Sequence, residues 1–151
     1  MDSKNNQVEL SVKFQQAVQL QQGGNPQDAE LTYKDILEIQ PLHTGANTML
    51  GIIYVETERE NEGVKLLEVS LNQDEKQFWA YNAHGVGLLN LKEYKLAALS
   101  FNRAIGVNPS YVDAYFNLGK TQRELGEISG AIISYSKCIE LDKNYANAFN
   151  N

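Results

Sequence analysis

Three groups of residues in this chain have types and spacings that chemistry could use. Ala114 to Thr121, ending in Gly119-Lys120-Thr121, satisfies the loose form of a phosphate-binding loop. That loop works because glycines let successive backbone N–H groups point at phosphate before a helix begins. Here Tyr115, Leu118 and Gly119 recur at helical spacing, so those N–H groups are expected to be bonded already, and nucleotide binding is not. Cys138, His43 and His84 are the only soft metal ligands, too few and too separated for a zinc site. Cys138 has no basic neighbour in sequence to activate it and is expected to be a buried structural thiol, and His84 a packed ring. Glu56, Glu58, Glu60 and Glu62 form an acidic run that reads as a solvated turn before it reads as a docking patch. No nucleophile–base set, framed carboxylate pair or Gly-rich cofactor loop stands out, so the expectation is a chain without enzymatic activity, cofactor or metal.

The element that carries these residues is a repeat. Ala17, Gly51, Gly85 and Gly119 are spaced by 34 residues, as are Ala29, Gly63, Ala97 and Ala131. A third column is large: Tyr33, Leu67, Phe101 and Tyr135. A strict period of this length implies stacked units, each burying its apolar face on its neighbours. Within a unit the spacing predicts two helices. First helices are expected over 9–22, 45–56, 77–90 and 111–124, and second helices over 27–39, 60–72, 94–107 and 128–141. The small columns would let the paired helices approach closely, and the large column would fill the seam between units. Pro41 and Pro109 would stop second helices, with Glu75 and Lys143 marking softer boundaries at the equivalent places. Gly23-Gly24 and Gly126 would supply turns.

The period, the Tyr115…Leu118-Gly119 and Ala131…Tyr135…Cys138 spacing and the closing proline resemble the tetratricopeptide repeat. The resemblance covers Leu10 to Asn151. It departs at Lys13 and Asn47, where the family prefers large apolar residues. It implies an all-α, right-handed α-solenoid of four helix-turn-helix repeats (10–43, 44–77, 78–111, 112–145) and the start of a fifth (146–151), after a polar segment over 1–9. It further implies a concave groove lined by first helices. The groove residues would be Phe14 and Val18, then Ile52 and Val55 beside Thr48. Trp79, Asn82, Val86 and Leu89 follow, and then Phe116, Lys120 and Arg123. Trp79, the only tryptophan, is the expected anchor. The family's carboxylate-clamp positions carry Phe14, Val18, Met49, Trp79 and Ala83, none of which can hold a carboxylate. An asparagine ladder, as in the repeat arms of protein O-glycosyltransferases, would occupy Gln15, Met49, Ala83, Asn117 and Asn151, with asparagine only in the last two.

Composition narrows the partner. Net charge is −6 with pI near 4.9 and no Lys/Arg run, which disfavours nucleic acid and anionic membranes and makes a basic peptide or protein the more natural ligand. The polar N-terminus, the absence of a long apolar run and the single cysteine point to the cytoplasm. The expected function is a protein–protein interaction module that takes a peptide or protein in its groove. Two alternatives stand beside it. One is the substrate-recruiting arm of a larger enzyme such as a protein glycosyltransferase. The other is a scaffold that self-assembles into a homo-oligomer through an uncapped C-terminal repeat, whose outer face would expose Ile132, Ile133 and Leu141.

Overall fold

The computed structural model describes residues 2–143, with side chains from residue 6 onward; the expected fifth repeat, with Asn147, Phe149, Asn150 and Asn151, lies outside the described residues. Among the described residues there are eight helices and no strand. They are α1 (Asp2–Gln22), α2 (Pro26–Ile39), α3 (Thr44–Glu56), α4 (Glu60–Gln73), α5 (Phe78–Asn90), α6 (Tyr94–Val107), α7 (Val112–Glu124) and α8 (Ile128–Leu141). None is long and apolar enough to cross a membrane. The helices agree with the periodic reading within a residue or two, except that α1 starts at Asp2 instead of near residue 9. The polar N-terminal stretch contains no glycine or proline, so nothing in it opposes extension of the helix.

The chain divides into two compact units, residues 1–74 and 75–151. In the first, α1 packs on α2, α2 on α3 and α3 on α4; in the second, α5 packs on α6, α6 on α7, α7 on α8, and α5 also lies beside α7. The core of the first unit gathers Leu10, Ala17, Ala29, Tyr33, Ile36, Ala46, Leu50, Ile53 and Tyr54. In the second, Ala80, Leu88, Ala97, Phe101, Ala104, Ala114, Leu118 and Cys138 are buried.

The columns explain the packing, with one correction. Gly51 and Gly63 do face each other: a Cβ at position 63 would lie 2.7 Å from the Gly51 carbonyl oxygen. The large column, however, sits over the glycines of its own hairpin. A Cβ on Gly51 would meet Leu67 Cγ at 2.7 Å, one on Gly85 would meet Phe101 Cε1 at 2.6 Å, and one on Gly119 would meet Tyr135 Cε1 at 2.7 Å. The missing methyl is therefore the space that the large side chain fills, which helix propensity alone would not favour.

Helix ends follow the period even where proline does not. The second helices stop at Ile39, Gln73, Val107 and Leu141, each followed by a residue that leaves the helical region: Gln40, Asp74, Asn108 and Asp142. The proline-free boundaries are thus in the same register as the proline-bearing ones. Between paired helices a left-handed residue recurs at Gly24 (φ 81°), Glu58 (φ 60°), Lys92 (φ 63°) and Gly126 (φ 77°). Two of these four turns put a side chain where glycine is favoured. Asn47, the departure in the second repeat, is 2 % exposed and donates from Nδ2 to the carbonyls of Pro41 (2.9 Å) and His43 (3.1 Å), so it ties the entry of α3 instead of filling the core.

Candidate partner-binding face

In the first unit the expected groove residues are largely drawn inward. Phe14 on α1 stacks obliquely on Tyr33 (5.8 Å between ring centroids) and His43 (5.2 Å), and its Cζ lies 2.7 Å from where a Gly45 Cβ would be. Val55 on α3 is 7 % exposed, with Cγ2 in the space left by Gly63. Thr48 is buried and its hydroxyl lies 2.5 Å from that of Ser70 on α4. Glycine at positions 45 and 63 opens holes, and the adjacent apolar side chains fill them to keep interior density. Phe14, Val55 and Thr48 therefore belong to the packing. Val18 packs half-buried against the same core, and Ile52 is half-buried on α3.

The second unit keeps an open face. Trp79, Asn82, Val86 and Leu89 follow helical spacing along α5, and Phe116, Asn117, Lys120 and Arg123 do so along α7. The two rows meet where Asn117 Nδ2 donates to Asn82 Oδ1 at 3.1 Å. Trp79 is 44 % exposed and edge-on to Phe78 (5.0 Å), which is edge-on in turn to Tyr111 (4.8 Å). Phe78 and Tyr111 extend the aromatic surface beyond what spacing singled out; their only signal was adjacency to Trp79 and to the start of α7. Phe116 leans toward Tyr135 of α8 at 6.0 Å, the same arrangement as Phe14 with Tyr33, and so forms floor more than wall. Lys120 Nζ stands 5.8 Å from the Phe116 ring, and Arg123 is exposed beside Glu124 at 3.7 Å. Burial raises the Tyr111 hydroxyl pKa, with Asp113 adding to it through charge and a hydrogen bond.

The other chemical candidates resolve into structure. Ala114 to Thr121 lies inside α7, with the Thr121 hydroxyl donating to the Asn117 carbonyl at 2.8 Å and Gly119 under Tyr135. Cys138 is buried, and burial pushes its thiol pKa up, away from the reactive thiolate. His84 is half-buried with Nδ1 2.8 Å from the Ser100 hydroxyl. Glu56, Glu58 and Glu62 are exposed around the turn before α4. Among the described residues no three His, Cys, Asp or Glu side chains are grouped to hold a metal.

Ile132 and Ile133 are 61 % and 71 % exposed and Leu141 is half-buried. Ile133 shares a column with Leu31 (60 %) and Leu99 (52 %), so its exposure recurs in earlier repeats.

Comparison with known proteins agrees with this architecture. Residues 112–145 match the family model described as tetratricopeptide repeat. A crystal structure of MamA superposes with a TM-score of 0.81 at 26% identity over 88% of this chain and 78% of that one. A second MamA structure gives 0.83 at 25% over 93% and 76%. MamA of Desulfovibrio magneticus RS-1, from its residue 41 to its end, gives 0.81 at 17%, over 89% and 76%. Among curated proteins, 60 residues are 40% identical to a UDP-N-acetylglucosamine–peptide N-acetylglucosaminyltransferase of Giardia intestinalis. That match spans 40% of this chain and 4% of the relative's length.

Proposed function

We propose that this chain, whose residues 112–145 match the tetratricopeptide repeat and whose fold is that of the MamA structures, binds an extended peptide or protein segment on the first-helix face of its second unit, without chemistry of its own. The observation that carries the reading is the Asn82–Asn117 hydrogen bond at 3.1 Å. It fixes two side-chain amides between apolar Trp79, Val86 and Leu89 on one side and Lys120 and Arg123 on the other. Such a pair presents the Asn82 amide protons and the Asn117 carbonyl oxygen to a ligand backbone, while Trp79 offers an apolar anchor. The setting proposed is the cytoplasm.

The test is an affinity capture from the source lysate with the native chain and a Trp79→Ala, Val86→Glu variant of unchanged helicity. A partner retained by the native chain alone supports the face as the working surface. Equal retention by both counts against it.

The match to the Giardia transferase favours a second reading, in which the chain serves as the substrate-recruiting arm of a larger glycosyltransferase. The isolated chain in excess would then compete for protein substrates and slow peptide N-acetylglucosaminyl transfer by that enzyme. Undiminished transfer would remove this reading.

A further inference from the structure

We propose that the α5–α7 face selects acidic extended segments, although the protein as a whole is acidic; the inference rests on the binding role proposed above and names its ligand class. Net charge is −6, but it is unevenly placed. Helix α5 (FWAYNAHGVGLLN) contains no Asp, Glu, Lys or Arg, while α2 carries Asp28, Glu30, Asp35 and Glu38. On α7 the residues in line with Asn117 are Lys120 and Arg123.

Three carboxylates lie near these cations in sequence: Asp113, Glu124, and Glu127, which is exposed at the N-cap of α8. Asp113 sits in the first turn of α7 and is engaged by the Tyr111 hydroxyl. Its charge there faces the positive end of the helix dipole. Glu124 reaches Arg123 only at 3.7 Å, with both side chains well exposed (44 % and 61 %). Among the described residues Lys120 makes no ion pair; the residue is half-buried and its ammonium stands over the Phe116 ring, 5.8 Å from the centroid. A ligand carboxylate arriving here meets two cations at the end of the face away from Trp79. A ligand cation meets them as like charges.

The geometry also sets a spacing. By the repeat, Trp79 is level with Asp113, and Val86 with Lys120. Seven helical residues separate Trp79 from Val86, about 10 Å of rise, or about three residues of extended chain. A segment lying along the furrow would place an apolar side chain on Trp79 and an acidic one about three residues away.

Trp79 is the sole tryptophan and so reports directly on this face. The full chain is titrated with two pools of twelve-residue peptides, each carrying one Leu or Phe; one pool has Asp or Glu three and four positions away, the other Lys or Arg. The expected result is a Trp79 emission change with the acidic pool at about tenfold lower concentration than with the basic pool, a preference that shrinks with added salt. Lys120→Ala, Arg123→Ala should abolish the preference, and Lys120→Arg, Arg123→Lys should keep it. Equal or tighter binding of the basic pool at Trp79 overturns the acidic selectivity while the face remains a binding surface. Acidic binding that leaves Trp79 emission and the Lys120/Arg123 variants unaffected lies elsewhere and overturns the inference. Silence from both pools removes the binding role and the inference with it.

Discussion

Arg59 donates two hydrogen bonds to Glu30, from Nη1 to Oε1 at 2.8 Å and from Nη2 to Oε2 at 2.7 Å, across 29 residues of sequence. Glu30 is on α2, and Arg59 immediately precedes α4, so the bidentate pair clamps one repeat to the next within the first unit. The guanidinium also lies 3.8 Å from the Tyr54 ring centroid, and Lys34 adds a second bridge to Glu30 at 2.7 Å. Hydrogen bonding from Arg59, with help from Lys34 and against partial burial, lowers the Glu30 pKa to about 2.

A depressed carboxylate contributes stability that is present above its unfolded pKa, 4.5, and lost as pH falls toward the folded value near 2. Glu30→Gln should therefore cost about 1 kcal/mol at pH 7, the upper range for a partly exposed bidentate pair. Urea denaturation at pH 7 and again near pH 2 checks this: the gap between native and variant should close at the acid end.

The turn column predicts that two substitutions will stabilise. Glu58 and Lys92 hold φ of 60° and 63°, where Gly24 and Gly126 stand in the other repeats. Glu58→Gly and Lys92→Gly should each gain about 1 kcal/mol by relieving the left-handed strain, less whatever the more flexible unfolded chain costs. An unchanged or lowered melting temperature for both would refute this account of the turn.

Two glycine-to-alanine changes should have opposite signs. At Gly63 a Cβ meets the Gly51 carbonyl oxygen at 2.7 Å and the Val55 amide nitrogen at 3.0 Å, backbone atoms that cannot rotate away. Gly63→Ala should destabilise by about 2 kcal/mol, overpacking exceeding the gain in helix propensity. At Gly106, near the end of α6, nothing lies within 4 Å, and alanine should stabilise by about 0.5 kcal/mol. Thermal or urea unfolding of the two single variants reads both signs.

His43 caps α3, its Nδ1 accepting the Ala46 N–H at 3.1 Å, which requires that nitrogen to be unprotonated. Burial lowers the His43 pKa below 6.5. The unfolded chain then takes up a proton that the native cap refuses, so the His43 contribution holds above pH 6.5 and falls as pH drops below it. His43→Asn, whose side-chain oxygen can cap at any of these pH values, should flatten the stability profile between about pH 7 and 5. A profile parallel to that of the native chain would count against the cap.

The 34-residue period determined the helices, their order and the close approach of Gly51 to Gly63, because close approach of two helices needs short side chains. It also placed the ends of α4 and α8 in register without proline, since each helix stops where its apolar face ends. What the period could not assign was the direction of individual side chains. Val55 and Arg123 occupy the same column, yet Val55 fills the hole opened by Gly63 on α4 and Arg123 stays exposed, while Phe14 fills one opened by Gly45 on α3. Those holes are properties of the packed hairpins, not of any one helix. The Arg59–Glu30 clamp and the Asn117–Asn82 contact likewise join residues 29 and 35 apart. Only the stacking of helices brings such side chains within hydrogen-bond distance. A pattern repeated along the chain fixes what is common to every repeat; which residues remain on an open face is decided by the local misfits between repeats, and these exist only once the helices are packed.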